Sequence, residues 1–422
     1  MKVKKMLAVF MSVLSLAACI LPFSACGKIV GNASDKGAKS GAVRNLTENI
    51  SKNDSGSKAA DKEFKAAAAS FSADLFKYNY SNGKTTLVSP LSVLTALALV
   101  QNGAEGETLV QLERALGGLD RDALNKYMRA YCDFLSAGDE LKIANSVWTD
   151  SSVEAKQAFL QKAVDSYSAQ IFSAPLSSKK TVSSINSWVK KNTDDMIPKI
   201  IESADRDAVM MLINAIAFDA KWETPYKRSD IEKLEFTSYS GSKKKTDFMC
   251  STENVYLKDS DAVGFMKPYK NGRFAFAALL PNEDVNIDDY IASLSGEKLM
   301  KIFSSAKKNE EVDVKMPKFK AEYSTQLIDT LKKMGVKDAF DSKTADFSSL
   351  IENRDAYIAT VVHKTFIEVD ENGTRAAAST LVGTDTMSLM EPYSVCLNRP
   401  FVYMIVDTET NLPLFIGVQT EI

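Results

Sequence analysis

Residues 371–390 constrain the chain more than any other stretch. A strand-forming run, Thr365-Phe366-Ile367-Glu368-Val369, precedes them, and a second, Phe401-Val402-Tyr403-Met404-Ile405-Val406, follows. About thirty residues of low apolar content lie between the two runs. Loops beyond roughly 12–15 residues inside a compact domain are usually functional or disordered. This one does not read as a linker. At period two, Thr374, Ala376, Ala378, Thr380, Val382, Thr384 and Thr386 form one face, small or β-branched. Arg375, Ala377, Ser379, Leu381, Gly383 and Asp385 form the other, which carries both charges. That is strand patterning. The segment is a loop able to become a strand, with its charges facing water and nothing bulky on the opposite face.

What surrounds the loop excludes several function classes. A chain of 422 residues holds one large domain or two to three ordinary ones. Its net charge of −2 creates no field favouring nucleic acid or an anionic membrane. The longest basic run, Lys243-Lys244-Lys245, is short enough to be a solvated hairpin turn. Five cysteines (Cys19, Cys26, Cys132, Cys250 and Cys396) show no CxxC and no metal-ligand spacing. A single histidine, His363, rules out a multi-histidine metal site, and no metal or other cofactor is expected. A Ser-His-Asp hydrolase needs a histidine to take the serine proton. His363 is the only candidate, and it lies in an apolar strand beside Val361 and Val362, the setting of a core histidine. The Ser-x-x-Lys matches at Ser242–Lys245 and Ser304–Lys307 lack partner motifs. No glycine-rich phosphate loop occurs. No catalytic residue is assigned, and an enzyme is not expected.

The N-terminus reads as an export signal. Lys2, Lys4 and Lys5 precede an apolar run from Met6 to Leu16, followed by Leu16-Ala17-Ala18-Cys19. A basic start, a short apolar core and small residues describe a signal peptide rather than a membrane span. Its end resembles the bacterial lipobox, which implies lipidation at Cys19 and a signal over 1–19. Phe23-Ser24-Ala25-Cys26 offers Cys26 as an alternative end. Residues 20–60 are largely polar and are expected to form a flexible tether.

From residue 61 onward the chain is periodic. Phe64, Ala68, Phe71, Leu75 and Phe76 recur at helical spacing. Ser89 and Pro90 suit the cap and first turn of a helix that is apolar on nearly every side from Leu91 to Val100. Further helices are expected over 108–116, around Ile185–Val189 and over 327–334. Met210–Phe218 reads as a strand buried on both faces, and Phe274–Leu280, Val312–Met316, 401–406 and 414–418 read as further strands. Helices early and strands later give an α+β pattern without a repeat or an internal linker, hence one domain over 61–422.

Glu371-Asn372-Gly373-Thr374-x-Ala376-Ala377-Ala378-Ser379-Thr380 resembles the hinge of the reactive-centre loop of the serpins, a family of protease inhibitors. Ser89-Pro90-Leu91-Ser92, Asn214-Ala215-Ile216-Ala217-Phe218-x-Ala220-x-Trp222, Met316-Pro317-Lys318-Phe319, Gly335-Val336-x-x-Ala339-Phe340, His363-Lys364, Asn398-Arg399-Pro400-Phe401 and Pro413-Leu414-Phe415-Ile416-Gly417 are similar to further family segments, in family order. The resemblance implies a single serpin-type domain with a large central sheet, further sheets, surrounding helices and an exposed reactive-centre loop over about 371–392. It implies a monomer whose partner is a serine protease, bound as a covalent acyl complex, with no nucleic acid and no membrane contact beyond a lipid anchor.

The resemblance also implies residue roles. Ser89, Ser92, Asn214 and His363 would form a buried polar shutter under the sheet centre. Members often carry asparagine where this chain has Thr85. Trp222 would pack at the top of the sheet. Counting from Glu371, the bond cut by the protease falls at Met387–Ser388. Counting back from Asn398 allows Leu389–Met390. Either bond offers an apolar side chain, which favours elastase-, chymotrypsin- or subtilisin-like targets. The hinge residues Glu371, Gly373, Thr374, Ala376, Ala377 and Ala378 are small where they would enter the sheet, and Arg375 stands for the usual glutamate on the outward face. Bulky or charged inward residues would instead mark a non-inhibitory binding module.

Overall fold

A computed structural model describes residues 42–54, 56–135, 137–204, 208–270, 272–352, 356–374 and 392–422. The signal, the lipidation candidates Cys19 and Cys26, and loop residues 375–391 lie outside them.

Asp61 caps the first long helix, Lys62–Asn79, accepting from the Glu63 and Phe64 amides. Ser89 caps the second, Pro90–Gln101, with Pro90 at its start, where a missing N–H is harmless. Every residue of that helix is buried, as its continuous apolar sequence requires. Helices Gly106–Ala115 and Arg121–Leu135 follow.

Two large mixed sheets hold the rest. The first has eight strands among the described residues. Across it run Arg44–Asn45, Gln170–Ala174, Leu141–Asp150, Met210–Phe218, Ile358–Val369 and Phe319–Gln326, with Gly373–Thr374 and Ala220–Lys221 at one end. The two central strands, Met210–Phe218 and Ile358–Val369, run parallel and adjacent. All nine residues of Met210–Phe218 are buried. One face of this sheet meets the main core. The other packs Trp148, Phe172, Met211 and Ile213 against Ile185 and Val189 of the Lys179–Asn192 helix. A strand covered on both sides has no use for alternation. The second sheet has nine strands among the described residues, eight along one path and Ile231–Thr237 paired beside it with Lys243–Lys258, so the further sheets expected from the sequence are continuous.

Two expectations need correction. Residues 43–60 are not a free tether. Arg44 and Asn45 pair with Ser173 and Phe172 at the sheet edge, Asn53 N–H donates to Asp165 at 2.7 Å, and Gln161 donates to the Ser51 carbonyl at 2.9 Å. Polar composition prevents this segment from building its own core, but not from bonding to a surface that is already folded. Nor does the exposed loop begin at 371. Gly373–Thr374 already forms a short strand inside the first sheet.

Candidate functional site

The middle of the first sheet carries a polar row. Asn145, Asn214, His363 and Thr325 stand in register on four adjacent strands. The N-terminal end of the Pro90–Gln101 helix brings Ser89 and Ser92 beneath it. The Ser89 N–H donates to His363 Nε2 at 3.0 Å, so the ring proton sits on Nδ1 and is given to Asn214 Oδ1 at 2.5 Å. Burial pushes His363 down to about 3, which keeps the imidazole neutral at physiological pH. The Asn214 amide nitrogen reaches the Ser92 carbonyl (2.7 Å), Ser92 Oγ (2.5 Å) and Asn145 Oδ1 (2.5 Å). Ser89 Oγ donates to the Leu414 carbonyl at 2.6 Å, tying the row to the second sheet.

The four shutter residues named from the sequence therefore meet in one network. Asn145 was not among them. Its strand, Leu141–Asp150, sets Asn145 and Ser146 among apolar residues and also carries Lys142, Thr149 and Asp150, which hides it from periodicity. Thr85 takes no part in the network and bonds to Thr420 at 3.0 Å. Only the His363–Asn214 bond joins the two parallel central strands by side chains in this row. Parting those strands would break it, and a buried polar group that loses its partner costs about 1–3 kcal/mol.

At the top of the sheet those strands do part. Their pairing ends at Phe366 with Ala217. Beyond it, Gly373–Thr374 lies between Ile358–Val369 and Ala220–Lys221, the short strand that follows Met210–Phe218 in the chain, with Thr374 opposite Val369 on one side and Ala220 on the other. Thr374 is fully buried, on the same face as Val369 and Ile367, and its Oγ1 meets Tyr269 OH at 2.6 Å. Thr374, the one residue of the inward face among the described residues, is thus buried. Three successive carbonyls of the preceding turn are held. Trp222 Nε1 donates to Asp370 O (2.8 Å), Tyr226 N to Glu371 O (2.8 Å) and Trp222 N to Asn372 O (3.0 Å). Asp370 Oδ1 accepts from the Asn372 and Gly373 amides. Glu371 pairs with Lys318 at 2.6 Å, which holds its carboxyl below its ordinary range. Trp222 stacks on Tyr269 with ring centres 4.6 Å apart. Ala376, Ala377, Ala378, Met387, Ser388, Leu389 and Met390 lie outside the described residues.

The hinge thus enters one end of a large mixed sheet, and in sequence the residues that follow it keep the alternation of a strand. A family model described as Serpin (serine protease inhibitor) matches residues 66–421, and the chain belongs to the serpin family. Curated relatives include human Serpin B3, 30% identical over 83% of this chain and 97% of the relative, and the leukocyte elastase inhibitor of Bos taurus, 30% identical over 84% and 98%. Among solved structures, the thermophilic serpin tengpin in its native state superposes with a TM-score of 0.85 at 41% identity, covering 90% of this chain and all of that one. Tengpin in its latent state gives 0.77 at 40% identity over 87% of this chain. Of the two states, this chain is the more similar to the native one.

Proposed function

We propose that this serpin inhibits serine proteases outside the cell by trapping them covalently. The protease's active-site serine attacks the carbonyl carbon of Met387. The bond to Ser388 nitrogen breaks, the new amine leaves with a proton, and an ester joins the two proteins. Leu389–Met390 is the alternative bond. The freed loop then enters the first sheet. Serpin loop insertion is a known case of stored strain released by a switch.

The single observation that carries this reading is the buried strand Gly373–Thr374, already seated between Ile358–Val369 and Ala220–Lys221 at the end of the first sheet. Extending the pairing of Thr374 with Val369 sets Ala376 opposite Ile367, Ala378 opposite Thr365 and Thr380 opposite His363. Each would face the core, and each is small. At about 1 kcal/mol net per hydrogen bond, a strand bonded on both sides contributes on the order of 10 kcal/mol. That supports insertion as a strongly downhill step once the loop is cut.

The apolar residue at either candidate bond supports elastase-, chymotrypsin- or subtilisin-like targets. The signal at 1–19 supports export, with a lipid anchor at Cys19 or Cys26. Incubation with elastase, chymotrypsin, subtilisin and trypsin tests the reading. The expected product is a complex that survives denaturing electrophoresis, with a released C-terminal peptide that begins at Ser388 or Met390. Cleavage by all four without such a complex would leave a non-inhibitory binding module instead.

A further inference from the structure

Behind the hinge lies a buried ion pair that the site above does not use. Lys267 and Glu253 meet at 2.7 Å, with only 4% and 7% of their side chains exposed. They lie on neighbouring strands of the second sheet, Ala262–Pro268 and Lys243–Lys258. The pair closes a ring of contacts. Ser251 Oγ donates to Glu253 Oε1 at 2.6 Å. With its one hydrogen so committed, Ser251 accepts from Tyr226 OH at 3.2 Å. Lys267 Nζ lies 4.4 Å from the centre of the Tyr226 ring and 5.6 Å from that of Trp222. Both distances fall within cation–π range. Trp222 and Tyr226 are the two residues that hold the Asp370, Glu371 and Asn372 carbonyls.

A buried charge pair is a poor source of stability, because apolar side chains of similar size usually serve as well. Its placement therefore asks for another explanation. One cation touches both aromatic members of the hinge clamp, and one carboxylate fixes that cation. The pair lines a cleft of about 920 Å³ that also reaches Tyr226 and Ser251.

We infer that Lys267 and Glu253 are positioning residues for loop insertion. Through Trp222 and Tyr226 they hold the turn at 370–372 in the register from which Gly373–Thr374 starts the new strand. Removing the cation loosens the clamp, so the loop extends into the sheet more slowly after it is cut. The inference rests on the inhibitory reading above.

The test is the paired replacement Lys267→Met with Glu253→Leu, which leaves no unpaired buried charge, alongside Lys267→Arg, which keeps the cation. Rapid mixing with chymotrypsin in excess gives two quantities, the limiting rate of covalent complex formation and the protease concentration at half that rate. The paired variant is expected to lower the limiting rate at least about fivefold, the worth of one exposed cation–π contact, since two buried ones are lost. The half-saturating concentration should stay unchanged, because the pair acts on the step that follows cleavage. Lys267→Arg is expected to keep the wild-type limiting rate. An unchanged limiting rate in the paired variant overturns the inference, and so does an equal fall in Lys267→Arg, which would mark a packing role. Absence of complex with the wild-type chain would instead overturn the inhibitory reading itself.

Discussion

His363 is neutral in the folded chain and accepts from the Ser89 amide, so a second ring proton has no acceptor there. Its pKa is about 3 when folded, against about 6.5 for a free histidine. Below pH 6.5 the unfolded chain therefore binds a proton that the folded chain refuses. The stability this neutral form contributes is complete above about pH 6.5 and is lost as pH falls toward 3, by about 1.4 kcal/mol per pH unit. Denaturant unfolding at pH 7.5 and 5.5 is expected to show that loss in the wild-type chain and a smaller one in His363→Gln. Parallel behaviour of the two would remove His363 from the balance. At the hinge, Thr374→Arg would bury a guanidinium beside Tyr269, a charge the site cannot pair. Such a chain is expected to be cleaved by chymotrypsin without trapping it. Wild-type yields of covalent complex would refute the inward assignment of Thr374. Both residues were legible in the sequence, since each sits in a distinctive motif. Lys267 and Glu253 were not. A buried lysine and glutamate look in sequence like surface residues, and only the fold brings positions fourteen apart into one contact.

Among elements, the hinge turn depends on one glycine. A Cβ on Gly373 would sit 2.1 Å from the Ala220 carbonyl oxygen and 2.7 Å from Lys221 Cα, both backbone atoms that cannot swing aside. Gly373→Ala is therefore expected to push Gly373–Thr374 out of the sheet. Faster amide hydrogen exchange at Thr374 and Val369 would report it, and unchanged protection would contradict it. The segment 43–60 makes its own case. It places Leu46 and Ile50 against the core and adds an edge strand. Comparing a chain that begins after residue 60 with one that begins at residue 42 is expected to show a loss of about 3 kcal/mol, or about 4 °C in unfolding temperature. Equal unfolding temperatures would make the segment a tether after all. Hydrophobic periodicity marked several core elements, among them Pro90–Gln101 and Met210–Phe218, but not others such as Arg121–Leu135 and Lys243–Lys258. It also missed this segment and the Leu141–Asp150 strand, where polar residues that bond in the fold, Asn53 with Asp165 and Asn145 with Asn214, interrupt the apolar pattern.

For the whole molecule, the central question is whether the first sheet is complete. Its two central strands are parallel and separate at the top, where two residues of the hinge already lie between Ile358–Val369 and Ala220–Lys221. A polar row at mid-sheet holds the remainder closed through one side-chain bond, from His363 to Asn214. An antiparallel strand between the two would gain bonds to both. Thermal unfolding before and after a single cut in the loop measures that gain most directly. If the sheet awaits the loop, the cut chain should unfold at a temperature higher by at least about 10 °C, the effect of one strand bonded on both sides in a domain of this size. A cut chain that unfolds at or below the temperature of the intact one would show that no strand enters, and trapping by insertion would fall with it.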